Sequence, residues 1–376
     1  MRVAIHGASG FTGRLTVAEV RRRGFTPVLV GRSEERLRSV ADGAEAVRVA
    51  GLDEPAALAD AFGDCPVVIN CAGPFTVLGE PVIRAAIAAG AHYLDTTGEQ
   101  HYLRRVLDGL GEEAVRAGVT VVPAMADDGG PGDLIAHLVA ERVGSAGVDG
   151  VAEVAEVLVA DLRRPGAASR GTARSMGEVF EQGALAYTDG QWHPAELEVE
   201  AEAAGGGAEP ALAAALGAGS ASIGASGAGP ASIAVPGEDG EVPVAVFALP
   251  GVVTIPRHVR ARRVRSAIRT EVAAMFSALT PDVVDSVPEI PDEAARLASR
   301  WLLLAQATGE DGKRARGWVT GLDPYGMTAV IAVEGARRLV ADGAPAGALT
   351  PAQAFDPASF LDHLTTHGVT WQVTPA

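Results

Sequence analysis

Cysteine is nearly missing from this 376-residue chain: Cys65 and Cys71 are the only two. A pair excludes a disulfide framework and a cysteine-rich zinc site, and no metal centre is expected. Lysine is scarcer still. Lys313 stands alone among 31 basic residues, which leaves Schiff-base chemistry a single candidate. Basic residues are outnumbered by 47 acidic ones, for a net charge of -16. A surface that negative repels nucleic acid and anionic membranes, so neither is expected as a partner. No charge-free apolar run reaches the ~18 residues of a membrane span. Val244 to Ile255 comes nearest and is broken by Pro250 and Gly251. No leader is legible where Met1-Arg2 meet Val3-Ala4-Ile5, and a cytoplasmic location is expected.

What is present is a regular alternation. Apolar strands are predicted at Arg2–His6, Pro27–Val30, Ala46–Val49, Val67–Asn70, His92–Asp95 and Val119–Val122. Helices are predicted between them at Thr12–Arg23, Glu34–Ala41, Pro55–Phe62, Pro81–Ala89 and Gln100–Ala117. Continuous Val/Ile/Leu strands separated by amphipathic helices imply a parallel sheet covered on both faces. The pattern then turns mixed. Helices read at Asp133–Val143 and Thr172–Gln182, and strands at Val151–Val159, Val242–Ala248 and Val264–Thr270. A helix, whole or in two pieces, reads across Pro281–Ala307, then a strand at Ala315–Thr320 and helices at Met327–Ala341 and Pro357–Thr366. The stretch 201–230 is mostly Gly and Ala and reads as a flexible insertion.

Gly7-Ala8-Ser9-Gly10-Phe11-Thr12-Gly13 follows the first strand and opens the first helix. In that context Gly7 permits a tight turn, Gly10 lets backbone approach a diphosphate, and Gly13 allows close helix–strand packing. Free amides and the helix dipole attract the phosphates, and the hydroxyls of Ser9 and Thr12 add donors. This is a Rossmann dinucleotide-binding turn, in a doubly wound α/β sheet. After the second strand, where an NAD site carries Asp or Glu for the ribose 2′-hydroxyl, this chain has Arg32-Ser33. An arginine there suits a 2′-phosphate, and NADP(H) is the expected cofactor.

Other candidates stand on the loops after the later strands. Cys71, Ala72, Gly73 and Pro74 are small residues at the carboxyl edge of the sheet, expected beside the nicotinamide ribose; Cys71 reads as packing, not as a nucleophile. The adjacent carboxylates Asp127 and Asp128 follow the sixth strand, and one or the other is expected to move a proton. Tyr325 is a further catalytic candidate. Glu99 and His101 follow the fifth strand, and Arg170, Thr172 and Arg174 flank a helix start where an anionic substrate would meet free amides. The run Arg257, Arg260, Arg262, Arg263, Arg265 and Arg269 reads as a solvated face, with substrate or carrier binding as the alternative. One mechanism is excluded. Short-chain dehydrogenases need Tyr and Lys four apart, and Tyr93, Tyr102, Tyr187 and Tyr325 are followed at that spacing by Thr97, Val106, Gln191 and Ala329.

GASGFTGR, VLVGR, VINCAGPF and YLDTTGE together resemble the saccharopine dehydrogenase-like oxidoreductases. The resemblance continues at Arg170-Gly171-Thr172-Ala173-Arg174-Ser175, at Gly321-Leu322-Asp323-Pro324-Tyr325 with Thr328-Ala329, and at Gly347-Ala348-Leu349-Thr350-Pro351, and is thinnest over 185–260. It implies a Rossmann domain over 1–132, an inserted mixed α/β substrate domain over 133–324, and a C-terminal segment, 325–376, that returns to the first domain. It also implies NADP(H)-dependent reduction of a C=N bond in a small molecule, anionic or carrier-bound, in specialised metabolism, by a homodimer. A related branch resembles trans-acting enoyl reductases. Their Gly-Phe-Asp-Ser-x-Pro-Ser-Asp run is replaced here by Ala126-Asp127-Asp128-Gly129-Gly130-Pro131-Gly132-Asp133, which counts against C=C reduction. The reading from another class is a non-catalytic, redox-responsive NADP(H)-binding regulator.

Overall fold

The computed structural model describes residues 1–43, 45–146, 151–166, 168–195 and 232–375; the insertion read at 201–230 lies outside them. The first part alternates β1 (Arg2–His6), α1 (Phe11–Arg22), β2 (Thr26–Gly31), α2 (Glu34–Arg38), β3 (Ala46–Val49), α3 (Pro55–Phe62), β4 (Val67–Asn70), α4 (Phe75–Ala88), β5 (His92–Asp95), α5 (Gln100–Gly109), α6 (Gly111–Ala117), β6 (Thr120–Val122) and α7 (Gly130–Val143). Val3, Ala4, Ile5, Val67, Val68 and Ile69 are all fully buried, as strands covered by helices on both faces must be.

The second part holds β7 (Ser145–Ala146), β8 (Ala152–Asp161), α8 (Arg170–Gln182), β9 (Ala184–Thr188), β10 (Gln191–Ala195), β11 (Ser232–Ala234), β12 (Glu241–Val246), α9 (Gly251–Thr254), β13 (Arg260–Arg269), α10 (Thr270–Ser277), α11 (Pro281–Ser286), α12 (Glu293–Ala298), β14 (Arg300–Thr308) and β15 (Arg314–Leu322). The chain ends with α13 (Pro324–Ala341), β16 (Gly347–Ala348), α14 (Pro351–Ala354), α15 (Pro357–Thr365) and β17 (Thr370–Pro375).

The first sheet runs β16-β6-β5-β4-β1-β2-β3, and every pairing in it is parallel. Its order reverses between β1 and β4, which opens a crevice at the carboxyl ends of the strands. The Gly turn lies at this point, and the loops after β4, β5 and β6 follow along one half of the sheet. The second sheet runs β10-β9-β13-β8-β14-β15-β17; β8 and β13 are parallel and their other neighbours antiparallel, so it is mixed. Two helices join the sheets. α13 packs on α1, and α7 packs on β8, β14 and β15. Gly317 makes the second contact close, since a Cβ there would lie 2.7 Å from Val139. Among the described residues, no helix is long and apolar enough to cross a membrane.

Some elements differ from their sequence reading. The span Pro281–Ala307 is not a helix throughout: it holds α11, α12 and then most of strand β14. Pro288 and Pro291 interrupt the helical stretch. Trp301-Leu302-Leu303-Leu304-Ala305 pairs with β15 on one edge and β8 on the other, and an apolar run of that kind suits a doubly covered strand as well as a helix. The helix read over Gln100–Ala117 is two, α5 and α6, parted at Leu110. Helix α4 begins at Phe75, ahead of Pro81, which lies inside it. Within the C-terminal segment, β16 extends the first sheet, whereas β17 pairs with β15 in the second.

Candidate active site

The Gly turn is built on contacts that a side chain would break. Gly7 has φ +75°, and its amide donates to the Val30 carbonyl at 3.0 Å. A Cβ at Gly7 would sit 2.8 Å from that of Ala72, and one at Gly13 only 2.2 Å from the Gly7 carbonyl oxygen. Only glycine tolerates backbone approach of that kind. Gly10 N donates to Gly7 O at 2.9 Å and closes the turn. The first amides of α1 then have no partner within the helix, and Ser9, Phe11 and Thr12 are half-buried around them. This cradle fits a diphosphate, with the α1 dipole favouring its charge. At the end of β2, Arg32 is exposed and, among the described residues, in no ion pair. Ser33 Oγ accepts from Arg36 N at 3.4 Å and so caps α2.

The loop after β4 forms the floor beside the turn. Cys71 N donates to His6 O at 3.0 Å, and the Cys71 thiol lies 3.4 Å from Thr16 Oγ1. Burial pushes that thiol up to about 12, so it is inert as a nucleophile. Ala72 N donates to Asn70 Oδ1 at 3.0 Å. A Cβ on Gly73 would lie 3.0 Å from Ser175 Oγ of α8, so the second domain faces this loop closely.

The two carboxylates after β6 have separate fates. Asp127 is buried and fully engaged: Oδ2 accepts from Arg163 Nη2 at 2.7 Å and Oδ1 from Thr328 Oγ1 at 2.8 Å. Arg163 is held in turn by Asp161, donating Nε to Oδ2 at 2.6 Å. Asp127 is therefore an anchor between α13, the loop after β8 and the turn before α7, with one bond on each oxygen. Asp128 is half-buried and faces the loop after β5, where a Cβ on Gly98 would lie 2.7 Å from its Oδ2. Burial, reinforced by the negative charge of Asp127 and opposed by Arg163, pushes its carboxyl up to about 7. Asp128 can therefore change protonation state near neutrality.

The remaining candidates are mostly occupied elsewhere. The Glu99 carboxylate accepts from Phe75 N at 2.9 Å and Thr76 N at 2.6 Å. It caps α4, and so explains why that helix starts before Pro81. Glu99→Ala is expected to cost about 1–2 kcal/mol of stability, the scale of a lost cap, read as a lower urea midpoint; an unchanged midpoint would remove this role. His101 Nε2 lies 3.1 Å from the Gly183 carbonyl and ties α5 to the end of α8. Arg170 donates Nε to Val287 O at 2.8 Å, and Arg174 pairs with Asp285 at 3.4 Å. Both guanidinium groups thus serve the turn around α11, where a substrate anion would have to displace them. Tyr325 packs edge-on against Phe11 with ring centroids 5.0 Å apart, accepts from Ser169 N at 2.9 Å and bonds Thr172 Oγ1 at 2.9 Å. It bridges the Gly turn to the start of α8, and Thr172 belongs to that bridge. Along β13, Arg260, Arg262, Arg265 and Arg269 pair with Glu153, Glu310, Glu156 and Glu238, a face of matched charges. Arg163 and Asp161 were missed in the sequence, because the carboxylate they serve, Asp127, is distant along the chain.

A doubly wound parallel sheet with a glycine cradle at its switch point, and a second sheet domain closing on it, define a two-domain dinucleotide-binding protein. Residues 3–122 match the family model described as saccharopine dehydrogenase NADP binding domain. The chain is 33% identical over 162 residues to a trans-acting enoyl reductase of Mycobacterium ulcerans, covering 41% of this chain and 38% of that one. It is 32% identical over 152 residues to the saccharopine dehydrogenase-like oxidoreductase of Homo sapiens, covering 35% of each. The aligned region thus spans well under half the length of these curated relatives. The fold likeness extends further: saccharopine dehydrogenase (L-Glu forming) from Saccharomyces cerevisiae, in its apo form, matches with a TM-score of 0.58 at 14% identity, covering 100% of this chain and 99% of that one.

Proposed function

We propose that this protein is an NADP(H)-dependent reductase that adds hydrogen across a C=N bond of a small molecule, with Asp128 as the proton donor. The carrying observation is the position of Asp128: half-buried on the loop after β6, across from Gly98, with an acidity near neutrality. When bound, NADP(H) supplies the hydride. Gly7, Gly10 and Gly13 would hold its diphosphate and Arg32 its 2′-phosphate, and the loop Cys71 to Pro74 would support the nicotinamide side. Asp128 in its acid form would hand its proton to the imine nitrogen, and solvent would reprotonate it. An acid poised near the working pH is the efficient choice for that transfer. Asp127, Arg163 and Asp161 hold it in place, and Tyr325 keeps α8 against the Gly turn.

The enoyl reductases among the relatives support a second reading, C=C reduction at the same crevice. A panel of cyclic imines and enoyl thioesters, followed by NADPH consumption, separates the two. Steady turnover with imines is expected; turnover confined to enoyl compounds would transfer the assignment, and none with either would favour the non-catalytic regulator.

A further inference from the structure

Asp95, at the end of β5, is fully buried, and among the described residues no cation pairs with it. Four donors meet its carboxylate instead. Oδ2 accepts from Tyr102 OH at 2.7 Å and Tyr93 OH at 3.0 Å. Oδ1 accepts from Ala124 N at 3.0 Å and Thr97 N at 3.2 Å. Its backbone carbonyl also accepts from Met125 N at 2.7 Å. The bonded path continues across the sheet. Asn70 Nδ2 donates to Tyr93 OH at 3.0 Å, and Asn70 Oδ1 accepts from Ala72 N at 3.0 Å and lies 2.9 Å from His6 Nδ1. One buried chain therefore fastens the first residues of the loops after β4, β5 and β6, and reaches the last residue of β1 before the Gly turn.

The geometry it holds is strained. Ala124 has φ +62°, a left-handed conformation that alanine adopts only when its surroundings impose it. Gly129 follows so closely that a Cβ there would lie 2.4 Å from the Ala124 carbonyl oxygen. Asp128 sits between these two points. A buried carboxylate without a cation is costly; burial pushes Asp95 up to about 6, and the groups around it, Tyr93, Tyr102, His6 and Cys71, bring no positive charge near neutral pH. What a carboxylate offers at this point is two oxygens that each accept two bonds.

We propose that Asp95 is the positioning residue of this site, its carboxylate bracketing the loops after β5 and β6 so that Asp128 stands against Gly98. The role rests on the reading of Asp128 as proton donor. Three readouts on Asp95→Ala test it: the titration midpoint of the Asp128 carboxyl by NMR, amide exchange at Thr97 and Ala124, and NADPH affinity, all in the substrate-free protein. The midpoint is expected to move by at least ~0.5 unit, exchange at both amides to rise about tenfold or more, and the NADPH dissociation constant to stay within about threefold. Turnover should fall about a hundredfold, the cost of a misplaced reacting group. Asp95→Asn keeps an oxygen for the two amides and turns its NH2 to the tyrosine oxygens, so it should restore most of the midpoint and the protection. Should the alanine variant not fold, the double variant Tyr93→Phe, Tyr102→Phe strips Oδ2 of its donors and is expected to raise exchange at Ala124. An unmoved Asp128 midpoint with unchanged exchange, or NADPH affinity lost in step with turnover, overturns the proposal. Since three readouts need no substrate, they judge Asp95 separately from the proton-donor role, which fails if Asp128→Asn turns over at the wild-type rate.

Discussion

Asp128→Asn is expected to lower turnover about a hundred- to ten-thousand-fold, the range that general acid–base catalysis covers, with NADPH affinity unchanged. The asparagine keeps the shape of the side chain and cannot release a proton. The pH dependence of the wild type carries the same information. In the reductive direction the acid form of Asp128 acts, and that form prevails below about 7. The rate should therefore be level at lower pH and fall about tenfold per unit above that point. In the oxidative direction the carboxylate acts, and the limb inverts. Asp127→Asn should read differently. It takes from Arg163 one of two carboxylates and leaves a half-buried cation partly unpaired, at about 1–3 kcal/mol of stability. Removing the neighbouring negative charge, and freeing Arg163 toward Asp128, both make Asp128 the stronger acid, so the reductive limb moves to lower pH. A urea midpoint and a pH–rate profile, measured on both variants, separate the anchor from the acid. Equal pH profiles in wild type and Asp127→Asn would contradict the electrostatic coupling.

Arg32→Ala is expected to weaken NADPH binding about tenfold or more, since a charge-assisted bond to phosphate is worth ~1.5–3 kcal/mol and exposure reduces it. NADH has no phosphate there and should bind as before. The variant should thus lose discrimination without losing the fold, since Arg32 is exposed and outside α2. Equal losses for both cofactors would mean that Arg32 supports the turn and not the phosphate.

These two sites were legible to different degrees, for physical reasons. The Gly turn and Arg32 announce themselves because their partners are near in sequence: a strand, a turn and a helix start within a dozen residues impose glycine at fixed steps. The doubly wound first sheet was legible likewise, from apolar strands spaced by helices. The roles of Asp127 and Asp128 were not separable from the dipeptide, because Thr328 lies 201 residues from Asp127 and Arg163 lies 36 away. Glu99 looked like a candidate for substrate since it ends a strand loop, yet its acceptors serve Phe75 and Thr76 earlier in the chain. Trp301 to Ala305 could not be assigned from its own composition; what makes it a strand is β8 on one edge and β15 on the other. Asp95 did carry a signal that was passed over: a charge closing an apolar strand whose neighbours are all core.

An NADP(H)-dependent oxidoreductase must first bind its cofactor selectively. Calorimetric titration of the purified, cofactor-free protein with NADPH and NADH side by side tests it most directly. NADPH is expected to bind at least about tenfold more tightly, the gap a 2′-phosphate held by arginine supports. Equal affinities, or binding of neither, would contradict it.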